Sequence, residues 1–91
     1  MYARETVVIN PTGLHARPAM AFSRAASKFQ SQIRIKNLDT DSAEVNAKST
    51  MRILTIAMSK GAKIRVIAEG EDEREAVDAL IALVDSGLGE I

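Results

Sequence analysis

With 91 residues, 46% of them hydrophobic but only 3% aromatic, the chain predicts a single domain over residues 1–91. Its core is aliphatic and too small to enclose a deep catalytic cleft, which argues against a self-contained metabolic enzyme. Twelve basic and twelve acidic residues cancel, cysteine is absent and histidine occurs once; these exclude thiol chemistry and disulfides, and speak against general nucleic-acid binding, a zinc site or any other metal, with no cofactor expected.

The N-terminus carries no apolar signal region and no stretch is long enough to span a bilayer, so a cytoplasmic location without membrane insertion is expected. Thr6 to Ile9 form a β-rich run stopped by Asn10-Pro11-Thr12-Gly13. From Ala16 to Phe29, Ala19, Phe22, Ala26 and Phe29 recur at helical spacing, with Arg17, Arg24 and Lys28 mostly on another face. Ile33 and Ile35 alternate with Arg34 and Lys36; after a polar turn, Ala43, Val45 and Ala47 alternate with Glu44, Asn46 and Lys48, predicting a β-hairpin with one wet face.

Ser49 is placed to cap a short helix with Thr50, Ile53, Leu54 and Ala57 toward the core and Gly61 beyond its end. Ile64, Val66 and Ala68 mark a fourth strand closed by Gly70. Asp72 and Glu75 predict a capping-box analogue for a last helix whose stripe is Val77, Leu80, Ile81 and Val84 and whose stop is Gly87. The order βαββαβα predicts an α+β sandwich, a mainly antiparallel four-stranded sheet covered on one face by three helices.

The chemistry concentrates in Gly13-Leu14-His15-Ala16-Arg17-Pro18-Ala19. Proline suits a first helical turn, where amides lack intrahelical partners, so Pro18 sets the helix start at about His15 to Pro18. Free amides and the helix dipole favour an anion there, and the Arg17 guanidinium matches phosphate oxygens. Imidazole is a nucleophile near neutral pH, and a phosphoryl group on its nitrogen stays reactive enough to be passed on. Without its neighbours, His15 would as readily be a plain surface histidine, Arg17 a solvated cation, and Arg24 and Lys28 a soluble helix face. The acidic run Glu69, Glu71, Asp72, Glu73 and Glu75 reads as electrostatic support for the last helix rather than a cation site.

Together with Asn46-Ala47-Lys48-Ser49-Thr50-Met51, Ser59-Lys60-Gly61-Ala62 and Ser86-Gly87-Leu88-Gly89-Glu90, this segment resembles the HPr family, the histidine phosphocarriers of the bacterial phosphoenolpyruvate-dependent phosphotransferase system, over essentially the whole chain. The resemblance implies an open-faced β-sandwich with sheet order 1-4-2-3. It implies a transfer cycle in which enzyme I, charged by phosphoenolpyruvate, phosphorylates His15 on Nδ1 and a IIA protein or domain receives the group. Arg17 matches the arginine that attends the phosphate, and the Ala16 and Arg17 amides would help to hold its oxygens.

By the same resemblance Ser49 matches a serine that, in many Gram-positive members, a dedicated kinase phosphorylates for carbon catabolite control, which would bring HPr kinase/phosphorylase and a catabolite-control transcription factor in as partners. Phosphate at a helix N-terminus suits the dipole yet places close to two negative charges beside the partner face, slowing phosphorylation at His15. Spacing alone makes Met51 and Leu54 core residues; the resemblance makes them part of an exposed patch, with Met20, Arg24, Thr50 and Arg52, that receives enzyme I and IIA. Methionine suits a surface that accepts several partners. The chain departs from the Gram-positive pattern at Arg52, where glycine is usual, and in a longer loop from Asn37 to Ala43.

The leading expectation is a monomeric phosphocarrier for sugar uptake. A nitrogen-branch or other regulatory paralogue is the nearest alternative, a noncatalytic regulator acting through the Ser49 helix differs in class, and a free-standing hydrolase lacks an assembled triad.

Overall fold

The computed structural model describes residues 1–90. Its elements are β1 (Tyr2–Val7), α1 (Ala16–Ser27), β2 (Gln32–Asn37), β3 (Val45–Asn46), α2 (Thr50–Leu54), β4 (Lys63–Glu69) and α3 (Glu73–Asp85). The order is the expected βαββαβα, and the strands form one antiparallel sheet in the order β1-β4-β2-β3. The α+β open-faced sandwich and its sheet order are therefore those the sequence and the resemblance led one to expect.

The sheet has two chemically distinct faces because side chains alternate along each strand. Ile33, Ile35, Ile64, Val66 and Ala68 are buried toward the helices. The core is completed by Phe22 from α1, Ile53 from α2, and Val77, Leu80, Ile81 and Val84 from α3, all within 2% of complete burial. On the opposite face the register aligns Glu5 with Arg65 and Arg65 with Lys36. Glu5 Oε2 accepts from Arg65 Nε and Nη2 at 3.1 and 2.7 Å.

Local boundaries differ from expectation where tertiary contacts outweigh pattern. β1 starts at Tyr2 and stops at Val7, not at Thr6 to Ile9. Pairing from Tyr2↔Ala68 to Val7↔Lys63 recruits the charged residues. Arg4 lies on the helix-facing side, with Nη1 donating to Asp78 Oδ1 of α3 at 3.0 Å. The hairpin is present, but β3 keeps only Val45 and Asn46, with Ala47 N–H donating to Ile33 O at 2.9 Å just beyond it.

The short helix forms where Ser49 was expected to cap it, and Ser49 Oγ accepts from Arg52 N at 3.3 Å. Of its expected core residues, Ile53 is buried, Thr50 half-buried, and Leu54 and Ala57 exposed. Five residues make little more than one turn, so only one side chain reaches the core. Gly61 lies beyond an intervening loop rather than at the helix end.

The capping box at α3 is not made. Asp72 occupies the N-cap position without a side-chain cap bond. Its carboxylate reaches across to the start of β2, accepting from Gln30 N at 2.8 Å, Ser31 N at 2.9 Å and the Ser31 hydroxyl. Those donors hold the Asp72 carboxyl below the usual carboxylate range, the Ser31 hydroxyl foremost. Glu73, not Glu75, bonds back from the first turn, accepting from Gly70 N at 3.2 Å.

Candidate functional site

The loop from β1 to α1 is fixed at its base and open at its tip. Leu14 N donates to Met58 O at 2.8 Å, and Leu14 is buried. Gly13 has φ +67°, and a Cβ there would lie 2.8 Å from Ser59 Cα and against the Met58 carbonyl oxygen, so only glycine fits without a backbone shift. The buried Gly13-Leu14 pair thus presses the loop onto the 58–59 segment. His15 emerges immediately after it, exposed.

His15 is the N-cap of α1, with φ −111° and ψ 158°, and its side chain makes no capping bond. Neither ring nitrogen has a hydrogen-bond partner among the described residues. The first helical hydrogen bond closes from Ala19 N to His15 O at 3.4 Å. The Ala16 and Arg17 amides precede it and have no acceptor among the described residues, while Pro18 has no amide proton to satisfy. Ala16 adopts φ +39°, a left-handed conformation that costs an L residue about 1 kcal/mol.

A shallow recess of ≈ 330 Å³ joins these groups, lined by Thr12, His15, Ala16, Arg17, Pro18 and Glu90. His15, Arg17 and Ala16 are therefore brought together as expected. Thr12 and Glu90 were not singled out as site residues. Glu90 Oε1 accepts from Thr12 Oγ1 at 2.7 Å, Thr12 N at 3.4 Å and the buried Asn10 Nδ2 at 2.8 Å. The Asn10 amide, followed by the Thr12 hydroxyl, holds the Glu90 carboxyl below the usual carboxylate range. Sequence signals for this cluster were the Asn10-Pro11-Thr12 punctuation and the matching tail that ends at Glu90, but 78 residues separate Thr12 from Glu90.

The residues expected to receive partners lie largely at the surface. Met51 is 76% exposed, Met20 41% and Leu54 38%. Spacing had made Met51 and Leu54 core candidates; the structure leaves both outside. Arg24 and Arg52 are exposed beside them on α1 and α2. A 2.7 Å hydrogen bond between the Ser23 and Thr50 hydroxyls ties α1 to α2, with Ser23 also donating to Met20 O at 3.1 Å. Ser49 is half-buried at the head of α2. Arg17, Arg24 and Arg52 have no acidic partner within ion-pair distance among the described residues.

A second cleft, of ≈ 290 Å³, lies at the β2–β3 edge between Gln30, Arg34, Asn46 and Lys48 and shares no residue with the His15 recess. Among the described residues no helix is long and apolar enough to cross a membrane, and no group of three His, Cys, Asp or Glu side chains is placed to hold a metal ion.

The fold and the recess define an open-faced α+β sandwich that presents one exposed histidine at a helix start. A family signature described as the PTS HPr component phosphorylation site matches residues 2–86, and the chain belongs to the HPr family. It is 42% identical over 85 residues to the HPr-like protein Crh of Halalkalibacterium halodurans, covering 93% of this chain and 98% of that one. It is 39% identical over 84 residues to the multiphosphoryl transfer protein of Haemophilus influenzae, covering 92% of this chain but only 17% of that longer protein. The crystal structure of HPr-C-His from Thermoanaerobacter tengcongensis superposes with a TM-score of 0.93 at 45% identity, covering 100% of this chain and 99% of that one. Crh of Bacillus subtilis, 40% identical with a TM-score of 0.73 over 94% of this chain and 95% of that one, crystallises as a domain-swapped dimer.

Proposed function

We propose that the protein is a phosphocarrier in which His15 accepts a phosphoryl group from charged enzyme I and delivers it to a IIA protein or domain for sugar uptake. The observation that carries this reading is the exposed His15 in one recess with Arg17 and with the Ala16 and Arg17 amides, which have no acceptor among the described residues. In the first transfer the lone pair of one ring nitrogen, Nδ1, forms a bond to phosphorus as the donor's bond to phosphorus breaks and the donor leaves with its electron pair. The proton on the opposite nitrogen passes to solvent. The second transfer reverses these steps, with the IIA nucleophile displacing His15.

Arg17 balances the phosphoryl charge and the two amides hold its oxygens. An open recess suits a histidine that must enter two different active sites in turn. Met20, Arg24, Thr50, Met51, Arg52 and Leu54 form the docking face, with apolar contact from the methionines and Leu54 and steering of acidic partners by the arginines. On this reading the carrier is a cytoplasmic monomer during transfer, and sedimentation at working concentration tests that against the dimeric arrangement described for one Crh.

The reading is tested by incubation with phosphoenolpyruvate and a demonstrably active enzyme I, followed by intact mass and phosphorus NMR. An acid-labile phosphate on the wild type and none on His15→Ala is the expected result; no phosphate on the wild type sinks it. Transfer onward to sugar-type and nitrogen-type IIA acceptors separates the transport role from the nitrogen branch.

The capping position of Ser49 and the likeness to Crh favour a second reading, regulation through α2. There HPr kinase/phosphorylase modifies Ser49 and a catabolite-control transcription factor receives the product. Binding that survives His15→Ala but is lost with Ser49→Ala or Met51→Asp supports it; a kinase that leaves Ser49 unmodified removes the phosphorylation branch.

A further inference from the structure

Glu90 lines the His15 recess, yet the carrier reading gives it no task. One carboxylate oxygen, Oε1, gathers three donors: Thr12 Oγ1 at 2.7 Å, Asn10 Nδ2 at 2.8 Å and Thr12 N at 3.4 Å. Thr12 shares the recess with His15, Ala16 and Arg17, so the two Thr12 donors that Glu90 engages border the space a phosphoryl group on His15 would enter, with the buried Asn10 behind them. Carboxylate and phosphoryl oxygens seek the same donors, and two anions in one recess of ≈ 330 Å³ repel each other.

Asn10 is completely buried, and its Oδ1 has no hydrogen-bond partner among the described residues. The side chain is held through Nδ2 alone, by Glu90 and by Gly13 O at 2.8 Å. The backbone before Glu90 provides an anchor. Leu88 is 5% exposed, and Gly87, Leu88 and Gly89 all have positive φ, of 89°, 54° and 84°. Glu90 N donates to Gly87 O at 2.9 Å, closing the turn through Gly89, and a Cβ on Gly89 would meet nothing within 4 Å, so that side of the turn is open.

We propose that the Glu90 carboxylate is an internal occupant of the phosphoryl subsite, holding the Thr12 donors while His15 is unmodified and releasing them when His15 carries a phosphoryl group. This rests on the carrier reading. No covalent bond changes at Glu90; its side chain rotates away as the phosphoryl oxygens take the place of the carboxylate. Its return when the group departs favours donation, so the latch raises the readiness of the phosphorylated carrier to give up its cargo.

The experiment uses the full chain labelled with ¹⁵N, as wild type, Glu90→Gln and Thr12→Val, each equilibrated with catalytic enzyme I at a fixed ratio of phosphoenolpyruvate to pyruvate. The wild-type Thr12 amide and Asn10 side-chain resonances should shift on phosphorylation. Glu90→Gln, which removes the competing charge, should raise the ratio of phosphorylated to free protein about fivefold, and Thr12→Val should lower it. Unmoved resonances together with equal ratios in wild type and Glu90→Gln overturn the latch and leave the carrier reading intact. Failure of both to accept phosphate overturns the carrier reading and the latch with it.

Discussion

The α1–α2 face and the open face of the sheet are both solvent-facing and rich in charge, but they use it differently. On the sheet, Glu5 takes Arg65 at 2.7 Å and Lys63 at 3.9 Å, and Lys36 reaches Asp41 at 3.0 Å. On the helical face, Arg17, Arg24 and Arg52 have no acidic partner within ion-pair distance among the described residues, and Met20, Met51 and Leu54 lie exposed among them. Pairing on the sheet is partial, since the exposed Arg34 has no ion pair among the described residues, but no large apolar side chain of the helical kind accompanies it. Cations left unpaired beside exposed apolar side chains are available to an outside partner.

The contrast is sharpest between His15 and the core beneath it. His15→Ala should abolish acid-labile phosphate while leaving the thermal midpoint unchanged, because the imidazole bonds to nothing among the described residues. Phe22→Ala, in the same helix but fully buried, should cost about 3–5 kcal/mol in denaturant unfolding. A large stability loss in His15→Ala would mean that the site is also a structural contact, breaking the division between face and core.

Next in size is Arg17→Ala, for which a loss of about a hundredfold in the rate of phosphoryl transfer is expected. The thermal midpoint should stay within error, since the guanidinium has no ion pair to lose among the described residues. Met51→Asp should weaken partner binding by about tenfold, read by titration calorimetry, again with little change in stability. A matching cationic substitution on the sheet face should leave that binding unchanged; equal effects on the two faces would erase the distinction.

The smallest effects belong to the sheet face and its flank. Arg65 foremost holds the Glu5 carboxyl below its ordinary range, and the Ser31 hydroxyl does the same for Asp72. A carboxyl lowered in the folded state contributes stability that is complete above the ordinary carboxylate range and is lost as pH falls through the folded value. The stability difference between wild type and Asp72→Asn should therefore be largest at neutral pH and vanish in strong acid. Glu5→Ala should follow the same course with a smaller amplitude, because its pair is exposed and screened.

Periodicity located α1, β2, β4 and α3 because each buries a repeating stripe: Ala19, Phe22 and Ala26; Ile33 and Ile35; Ile64, Val66 and Ala68; Val77, Leu80, Ile81 and Val84. It failed where an element is too short to have a period or where its pairing lies elsewhere in the chain. Leu54 and Ala57 had helical spacing, but α2 ends at Leu54, before a second turn can bury them. Tyr2 to Glu5 show no β signature by themselves and become strand because β4 offers them a register. Asp72 has the residue type and position of a cap, yet the Gln30 and Ser31 donors compete for its carboxylate and win.

By itself the sequence determined the domain class, the placement of the histidine at a helix start and the arginine beside it, because Pro18, Gly13 and the apolar spacing are local instructions. Tertiary structure decided what faces what. It brought Glu90 across 78 residues to the Thr12 hydroxyl, left Met51 outside the core, and paired Glu5 with Arg65 on the sheet while leaving Arg17, Arg24 and Arg52 without an acidic partner among the described residues. These outcomes depend on which surfaces remain after strands pair and helices pack, and a linear pattern carries no information about that remainder.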